Sequence, residues 1–265
     1  MAGGTAGRGK TALITGASSG IGLELARRCA RAGFNLVLVA RGEAALRQLA
    51  AELEQRHGVR ATVLARDLAD PASPPAIRAA CDAAGIGVDV LVNNAGFASY
   101  GPFSESDLDV ELQMIQVNTA ALTQLTRLFL DGMLARRAGR ILNIASTAAF
   151  QPGPLMAVYY ATKAYVLSFS EALANELRGS GVTVTALCPG PTASGFQQRA
   201  AMEDSKLVAG KIAGPAEVAR AGYAGLMKGQ TIVIPGARNK ALVFIVRLTP
   251  RNLVTRIVRR MQERV

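Results

Sequence analysis

The chain has no tryptophan, one histidine and three cysteines in 265 residues. Three cysteines cannot build a disulfide framework, so stability must come from a buried core, and the expected setting is reducing and intracellular. Cys29, Cys81 and Cys188 show no metal-ligand spacing, and His57, the sole imidazole, ends a polar helical stretch, which leaves no metal site to expect and little for histidine chemistry to draw on. Charged residues are few, at 18%, while half the chain is apolar, and this balance excludes intrinsic disorder. Long hydrophobic runs are also lacking. The longest in the C-terminal segment, residues 241–246, is far below the roughly 20 residues of a spanning helix. The N-terminus, with four glycines in its first nine residues, lacks the apolar stretch of a signal peptide. The expectation is therefore a cytoplasmic chain without a transmembrane anchor.

Acidic residues are outnumbered, 19 against 30 basic ones, for a net charge of +11. Such an excess suits nucleic acid, an anionic membrane surface or an anionic ligand. It is unevenly spread: residues 236–265 hold eight basic side chains against Glu263, or +7, and the remaining 235 residues carry +4. No nucleic-acid motif or aromatic-interleaved basic patch is present, so nucleic acid is not an expected partner.

Short β-branched and aliphatic runs at 11–15, 35–40, 61–65, 88–92, 140–145, 183–187 and 231–234 alternate with stretches of helical period near 21–31, 43–57, 72–84, 107–131, 157–178 and 215–227. This alternation predicts βαβ units and an α/β fold with a parallel sheet. No linker rich in proline, glycine or serine divides it, so the reading is one domain over 10–235, a flexible leader over 1–9 and a basic helical tail over 236–265.

Directly after the first strand stands Thr15-Gly16-Ala17-Ser18-Ser19-Gly20-Ile21-Gly22, opening a helix. Glycines let the backbone turn tightly and approach a pyrophosphate, while a helix N-terminus supplies free N–H groups and partial positive charge. The spacing differs from the Gly-x-Gly-x-x-Gly fingerprint, and a tight turn with no ligand is the competing reading. At the end of the second strand, Ala40-Arg41 offers a cation where an acid would select NAD, which favours the 2′-phosphate of NADP over NAD; a solvated surface arginine is the alternative. Asp67-Leu68 follows the third strand, placed to meet an adenine, and Asn93-Asn94-Ala95-Gly96 follows the fourth, at the carboxyl edge where open α/β sheets bind ligands. Asn118 lies in a helical stretch, where asparagine is a poor fit unless its amide has a task.

Ser146 stands just past the fifth strand, and Tyr159 and Lys163 lie four residues apart at the start of a helix, on one face. A phenol titrates too high to work efficiently at neutral pH, and a neighbouring ammonium would bring it down. Tyr160 is three residues from Lys163, so the spacing selects Tyr159.

With these residues in place the chain resembles the short-chain dehydrogenase/reductase family over about residues 10–235. The glycine loop, Asn93-Asn94-Ala95-Gly96, Asn118, Ser146, Tyr159-x-x-x-Lys163, Pro189-Gly190 and Thr192 occur in the family's order, with its separation of 13 between Ser146 and Tyr159. The resemblance implies a seven-stranded doubly wound, Rossmann-like sheet, an NAD(P) cofactor and a tetrad of Asn118, Ser146, Tyr159 and Lys163. It implies that Tyr159 exchanges a proton with a carbonyl or alcohol and with Lys163 also contacts the cofactor, that Ser146 bonds the reacting oxygen, that Lys163 bonds the nicotinamide ribose and depresses the Tyr159 pKa, and that Asn118 holds a relay water. Pro189, Gly190 and Thr192 would close over the nicotinamide, and residues 193–214, with Phe196 and Met202, occupy the place of a substrate lid. Many NADP-preferring relatives carry a basic residue inside the glycine loop, where this chain has Ser18 and Ser19, so the NADP expectation rests on Arg41. A homodimer or homotetramer through 107–131 and 157–178 is implied as well.

Phe97, Tyr100, Phe150, Leu155 and Met156 fall in loops beside the site and suggest an apolar ketone or secondary alcohol as substrate, lipid-like or acyl forms included. The competing function is a dinucleotide-binding regulator or scaffold without turnover, which would have no need of Tyr159 and Lys163 together. In the tail, two amphipathic segments, 239–248 and 251–263, flank Pro250, with Val254, Ile257, Val258 and Met261 expected on one face. That face packs on the body or a partner subunit, or else residues 239–264 touch a membrane peripherally; the first alternative is the favoured expectation.

Overall fold

The computed structural model describes residues 6–193, 195 and 212–263. Seven strands, β1 (Thr11–Thr15), β2 (Asn35–Ala40), β3 (Ala61–Ala65), β4 (Val90–Asn93), β5 (Gly139–Ile144), β6 (Val182–Leu187) and β7 (Ile232–Val233), pair in parallel in the order β3-β2-β1-β4-β5-β6-β7. Parallel neighbours cannot be joined by a tight turn, so helices fill the crossovers. These are α1 (Gly20–Arg31), α2 (Glu43–His57), α3 (Ser73–Ala83), α4 (Leu108–Ile115), α5 (Leu122–Ala135), α6 (Ala157–Glu176) and α7 (Pro215–Lys228). Two more, α8 (Ala237–Leu248) and α9 (Arg251–Gln262), follow β7. The architecture is the seven-stranded, doubly wound α/β fold that the motif order implies.

Strand side chains alternate between two covered faces. Ala12, Ile14, Leu36 and Leu38 pack with Leu25, Leu46, Val218 and Leu226, whereas Leu13, Val37, Leu91 and Val184 meet Ile77, Leu125, Phe129 and Leu173 on the other side. Burial on both faces explains why the strands read as continuous aliphatic runs. Below the carboxyl edge, a buried polar chain crosses the sheet. Asn93 Nδ2 donates to Thr126 Oγ1 (3.0 Å) and Asn143 Oδ1 (2.9 Å), and Asn143 Nδ2 donates to Ser170 Oγ (2.9 Å). These bonds fix α5 and α6 against β4 and β5, and α6 carries Tyr159 and Lys163.

Three expectations change. Residues 6–9 are not a loose leader: Gly7 N donates to Ala32 O at 2.9 Å, and the absence of a side chain lets its backbone lie on Phe34. The helix expected unbroken over 107–131 contains a π turn, Gln116–Ala121, between α4 and α5. Thr119 and Thr123 hydroxyls bond the carbonyls four residues back, which competes with the regular ladder. Finally, the buried arc of α9 is Val254, Val258 and Gln262, while Ile257 and Met261 are exposed. The arc is rotated because the body takes up Gln262, whose carbonyl accepts from the Tyr100 hydroxyl. The proposed lid, with Phe196 and Met202, lies almost wholly outside the described residues.

Candidate active site

Sheet order reverses between β1 and β4, so the loops leaving their carboxyl ends diverge and open a crevice. A cleft of about 910 Å³ fills this position. Gly16, Ser18 to Ile21, Arg41, Asp67, Leu68, Asn94 to Gly96, Ser146, Tyr159, Lys163, Pro189, Gly190 and Thr192 line it, whereas Thr15, Ala17, Gly22, Asn93 and Asn118 do not.

Gly16 has φ +64°, in the left-handed region, and a Cβ there would come within 2.7 Å of Asn94 Nδ2. A Cβ on Gly22 would collide with the Gly16 carbonyl and the Asn94 amide, so Gly22 acts behind the loop by letting α1 approach it. Asn94 Nδ2 donates to the carbonyls of Thr15 (2.9 Å) and Gly16 (3.2 Å), and Thr15 Oγ1 accepts from the N–H groups of Asn94 and Ala95, each at 3.0 Å. The Asn94 side chain therefore braces the glycine loop. At the α1 N-terminus, Ser19 makes no capping bond and the first turn holds no acid, so the N–H groups and positive dipole end are offered to the cleft. This cradle fits a pyrophosphate.

Arg41, exposed, lines the cleft beyond β2, and Arg66 lines it beyond β3. Ala40 and Ala65 are partners in the ladder, which makes Arg41 and Arg66 neighbours across it. The sequence reading missed Arg66; a second cation one residue past the adjoining strand was the available signal. Asp67 Oδ1 accepts from Ala69 N (3.0 Å), which shapes the turn, and Leu68 is buried beneath it.

At the other end, Ser146 Oγ accepts from Ala148 N (3.1 Å), donates to Pro189 O (3.4 Å) and shares a hydrogen bond with Tyr159. Lys163 lies one turn after Tyr159 on α6. Its Nζ donates to Ile144 O at 2.9 Å and sits 5.6 Å from the Tyr159 ring centroid. Both side chains are buried. Burial pushes the Tyr159 phenol up to about 12, with the Ser146 bond pulling the other way, and pulls the Lys163 ammonium down to about 8. The group that lowers the phenol here is Ser146, while burial raises it, and the expected depression by Lys163 does not enter. Tyr160 is buried edge-on to Tyr159, with its phenol raised still further by burial.

Asn118, in the π turn, accepts from Phe97 N (3.1 Å) and donates to Phe97 O (3.0 Å) and Thr162 Oγ1 (3.1 Å). Its amide fastens the loop after β4 to α6. A Cβ on Gly96 would lie 2.9 Å from Asn118 Oδ1 and 3.5 Å from Lys163 Nζ, so the missing side chain leaves space between them. Pro189 and Gly190 border the cleft, and Thr192, buried, donates to Gly190 O at 2.9 Å. Of the apolar residues expected beside the site, Phe97, Tyr100 and Met156 line the cleft, whereas Phe150 and Leu155 do not. Cys188 is buried outside the cleft lining, its thiol pushed up to about 12 by burial.

The short chain dehydrogenase family profile matches residues 10–205. A very-long-chain 3-oxoacyl-CoA reductase of Laccaria bicolor is 37% identical over 179 residues, 67% of this chain and 53% of that protein. The chain spans 53–61% of the length of the first curated relatives it matches. Among solved structures, a short-chain dehydrogenase from Sphingobium yanoikuyae in complex with NADPH superposes with a TM-score of 0.81 at 37% identity, covering 90% of this chain and 94% of that one. The bulky-bulky ketone specific alcohol dehydrogenase from Comamonas testosteroni gives 0.76 at 31% identity, covering 90% and 92%. With the profile spanning most of the sheet and the site, the chain belongs to the short-chain dehydrogenase family.

Proposed function

We propose that the protein is an NADPH-dependent oxidoreductase that interconverts an apolar ketone and a secondary alcohol, with Tyr159 exchanging the proton. The observation that carries this reading is the meeting of Ser146, Tyr159 and Lys163 at the reaction end of a cleft whose other end holds the glycine loop, Arg41 and Arg66.

A nicotinamide dinucleotide supplies hydride chemistry when bound, and Gly16, Ser18 to Ile21, Ala95, Gly96, Pro189, Gly190 and Thr192 would hold it. Arg41 and Arg66, each following a partner in the β2–β3 ladder and both on the cleft, carry guanidinium groups suited to a 2′-phosphate, which supports NADP over NAD. The buried phenol, raised to about 12, stays protonated at neutral pH and is available as a donor to a carbonyl oxygen. Ser146, hydrogen-bonded to Tyr159, offers a second hydroxyl to the same oxygen. Lys163, titrating at about 8, is mostly cationic at pH 7 and stabilises the phenolate left when the proton departs. Asn118 positions α6, and the space at Gly96 between its carbonyl and Lys163 would take a relay water.

Phe97, Tyr100 and Met156 support an apolar substrate, as do the ketone and 3-oxoacyl substrates in the names of the relatives. Exposed Leu108, Leu112 and Ile115 on α4 and Tyr165 on α6 support self-association through these helices. NADPH consumption measured with ketones and 3-oxoacyl thioesters of graded chain length tests the reading. Turnover that rises with apolar length is expected. NADPH binding without turnover of any carbonyl would make the chain a dinucleotide-binding regulator.

A further inference from the structure

The tail has an inner side built into the active site and an outer side that is unpartnered among the described residues. On the inner side, α8 begins against the cofactor loop: a Cβ on Gly190 would lie 2.8 Å from Asn239 Nδ2, which donates to Pro235 O at 2.7 Å. From α9, Val254 and Val258 pack with Met156, Tyr159 and Tyr160, and Val246 of α8 joins them. The Tyr100 hydroxyl closes the end on Gln262 O.

The outer side exposes large apolar side chains: Phe244, Ile245 and Leu248 on α8, where Leu248 is 73% exposed, and Leu253, Ile257 and Met261 on α9. Residues 253, 257 and 261 form an i, i+4, i+8 stripe beside Arg256 and Arg260, and residues 244, 245 and 248 share an arc away from buried Val243. Arg238, Lys240, Arg247, Arg251 and Arg259 are also exposed.

We infer that the outer face of α8 and α9 docks on an anionic lipid bilayer, with its apolar side chains in the acyl boundary and its cations on phosphate headgroups. Charge complementarity chooses this occupant. A second copy laid face to face would bring two +7 segments together, and a nucleic acid would leave the apolar side chains without a partner. An anionic bilayer receives both. No helix among the described residues is long and apolar enough to cross a membrane, so the helices would lie in its surface. Docking places the substrate end of the cleft near the bilayer. Only that consequence, delivery of an apolar substrate, rests on the proposed function.

Sedimentation of the full chain with vesicles tests the inference. The protein should pellet with phosphatidylglycerol-containing vesicles and remain in solution with phosphatidylcholine alone. Each basic residue near the surface contributes about fivefold, so Arg256→Gln with Arg260→Gln should weaken binding about 25-fold. Phe244→Ser with Leu248→Ser should also release the protein from anionic vesicles. Both double variants alter exposed positions and should keep the wild-type thermal transition and NADPH affinity. Failure to pellet with anionic vesicles, or variants that pellet like the wild type, would overturn the inference. Dissociation of a lipid-free oligomer by Phe244→Ser with Leu248→Ser would overturn it too, and would assign the face to a second copy. Because binding is read without turnover, its failure is separable from failure of the proposed reaction.

Discussion

Replacing Lys163 with methionine should stabilise the cofactor-free protein while removing its activity. Lys163 is only 5% exposed, its ammonium donates to Ile144 O, and burial pulls its pKa from 10.5 to about 8. At 1.36 kcal/mol per pH unit, holding this charge in the fold costs about 3 kcal/mol below pH 8. Methionine has similar length and no charge, so the cost disappears, offset by about 1 kcal/mol for the Ile144 carbonyl left without its donor. The net gain at pH 7 is about 2 kcal/mol, which for a domain of this size raises Tm by about 4–8 °C. The pH dependence fixes the cause. Below pH 8 the folded and unfolded chains both hold the proton; between about 8 and 10.5 only the unfolded chain does. The Lys163 contribution to stability therefore rises with pH across that window, and the comparison with methionine separates it from the buried thiols and phenols, whose raised pKa values act in the opposite direction. The advantage of methionine should shrink over the same window and reverse slightly above it. Thermal or urea denaturation at pH 7 and pH 10 measures both. A variant that is less stable than wild type at pH 7, or an advantage indifferent to pH, would refute the argument that Lys163 is held in the fold at a desolvation cost.

Gly22→Ala should destabilise the fold by about 1–3 kcal/mol, because its Cβ meets the Gly16 carbonyl and the Asn94 amide, and should weaken NADPH binding by displacing the loop; urea denaturation and NADPH titration read the two effects. Arg41→Ala and Arg66→Ala should each lower the preference for NADPH over NADH about tenfold or more and leave NADH kinetics unchanged, as comparison of kcat/KM for the two cofactors would show.

The glycine loop and Tyr159-x-x-x-Lys163 are legible in the sequence because a local backbone path fixes their spacing. The sheet is legible because strands buried on both faces must be aliphatic throughout. Arg66 was not, since it becomes a neighbour of Arg41 only through the Ala40–Ala65 register. Asn118 looked out of place in a regular helix, and the partners that occupy its amide, Phe97 and Thr162, lie far from it in the chain. The burial that raises the Tyr159 phenol was not legible, because proximity to Lys163 is visible in the spacing and desolvation is not. In α9, periodicity revealed an amphipathic helix, but the arc taken by the body, with Gln262 inside and Ile257 outside, is set by Tyr100 and Met156, which lie far away in the chain.

In the proposed reaction the Tyr159 hydroxyl gives and takes the proton, while the rest of the cleft suffices to hold the dinucleotide. Tyr159→Phe, compared with wild type by NADPH titration and by turnover of the best ketone, tests this most directly. NADPH affinity should be preserved and turnover should fall about 100- to 10,000-fold, the range contributed by a positioned general acid. Turnover equal to wild type would mean that Tyr159 does not carry the proton.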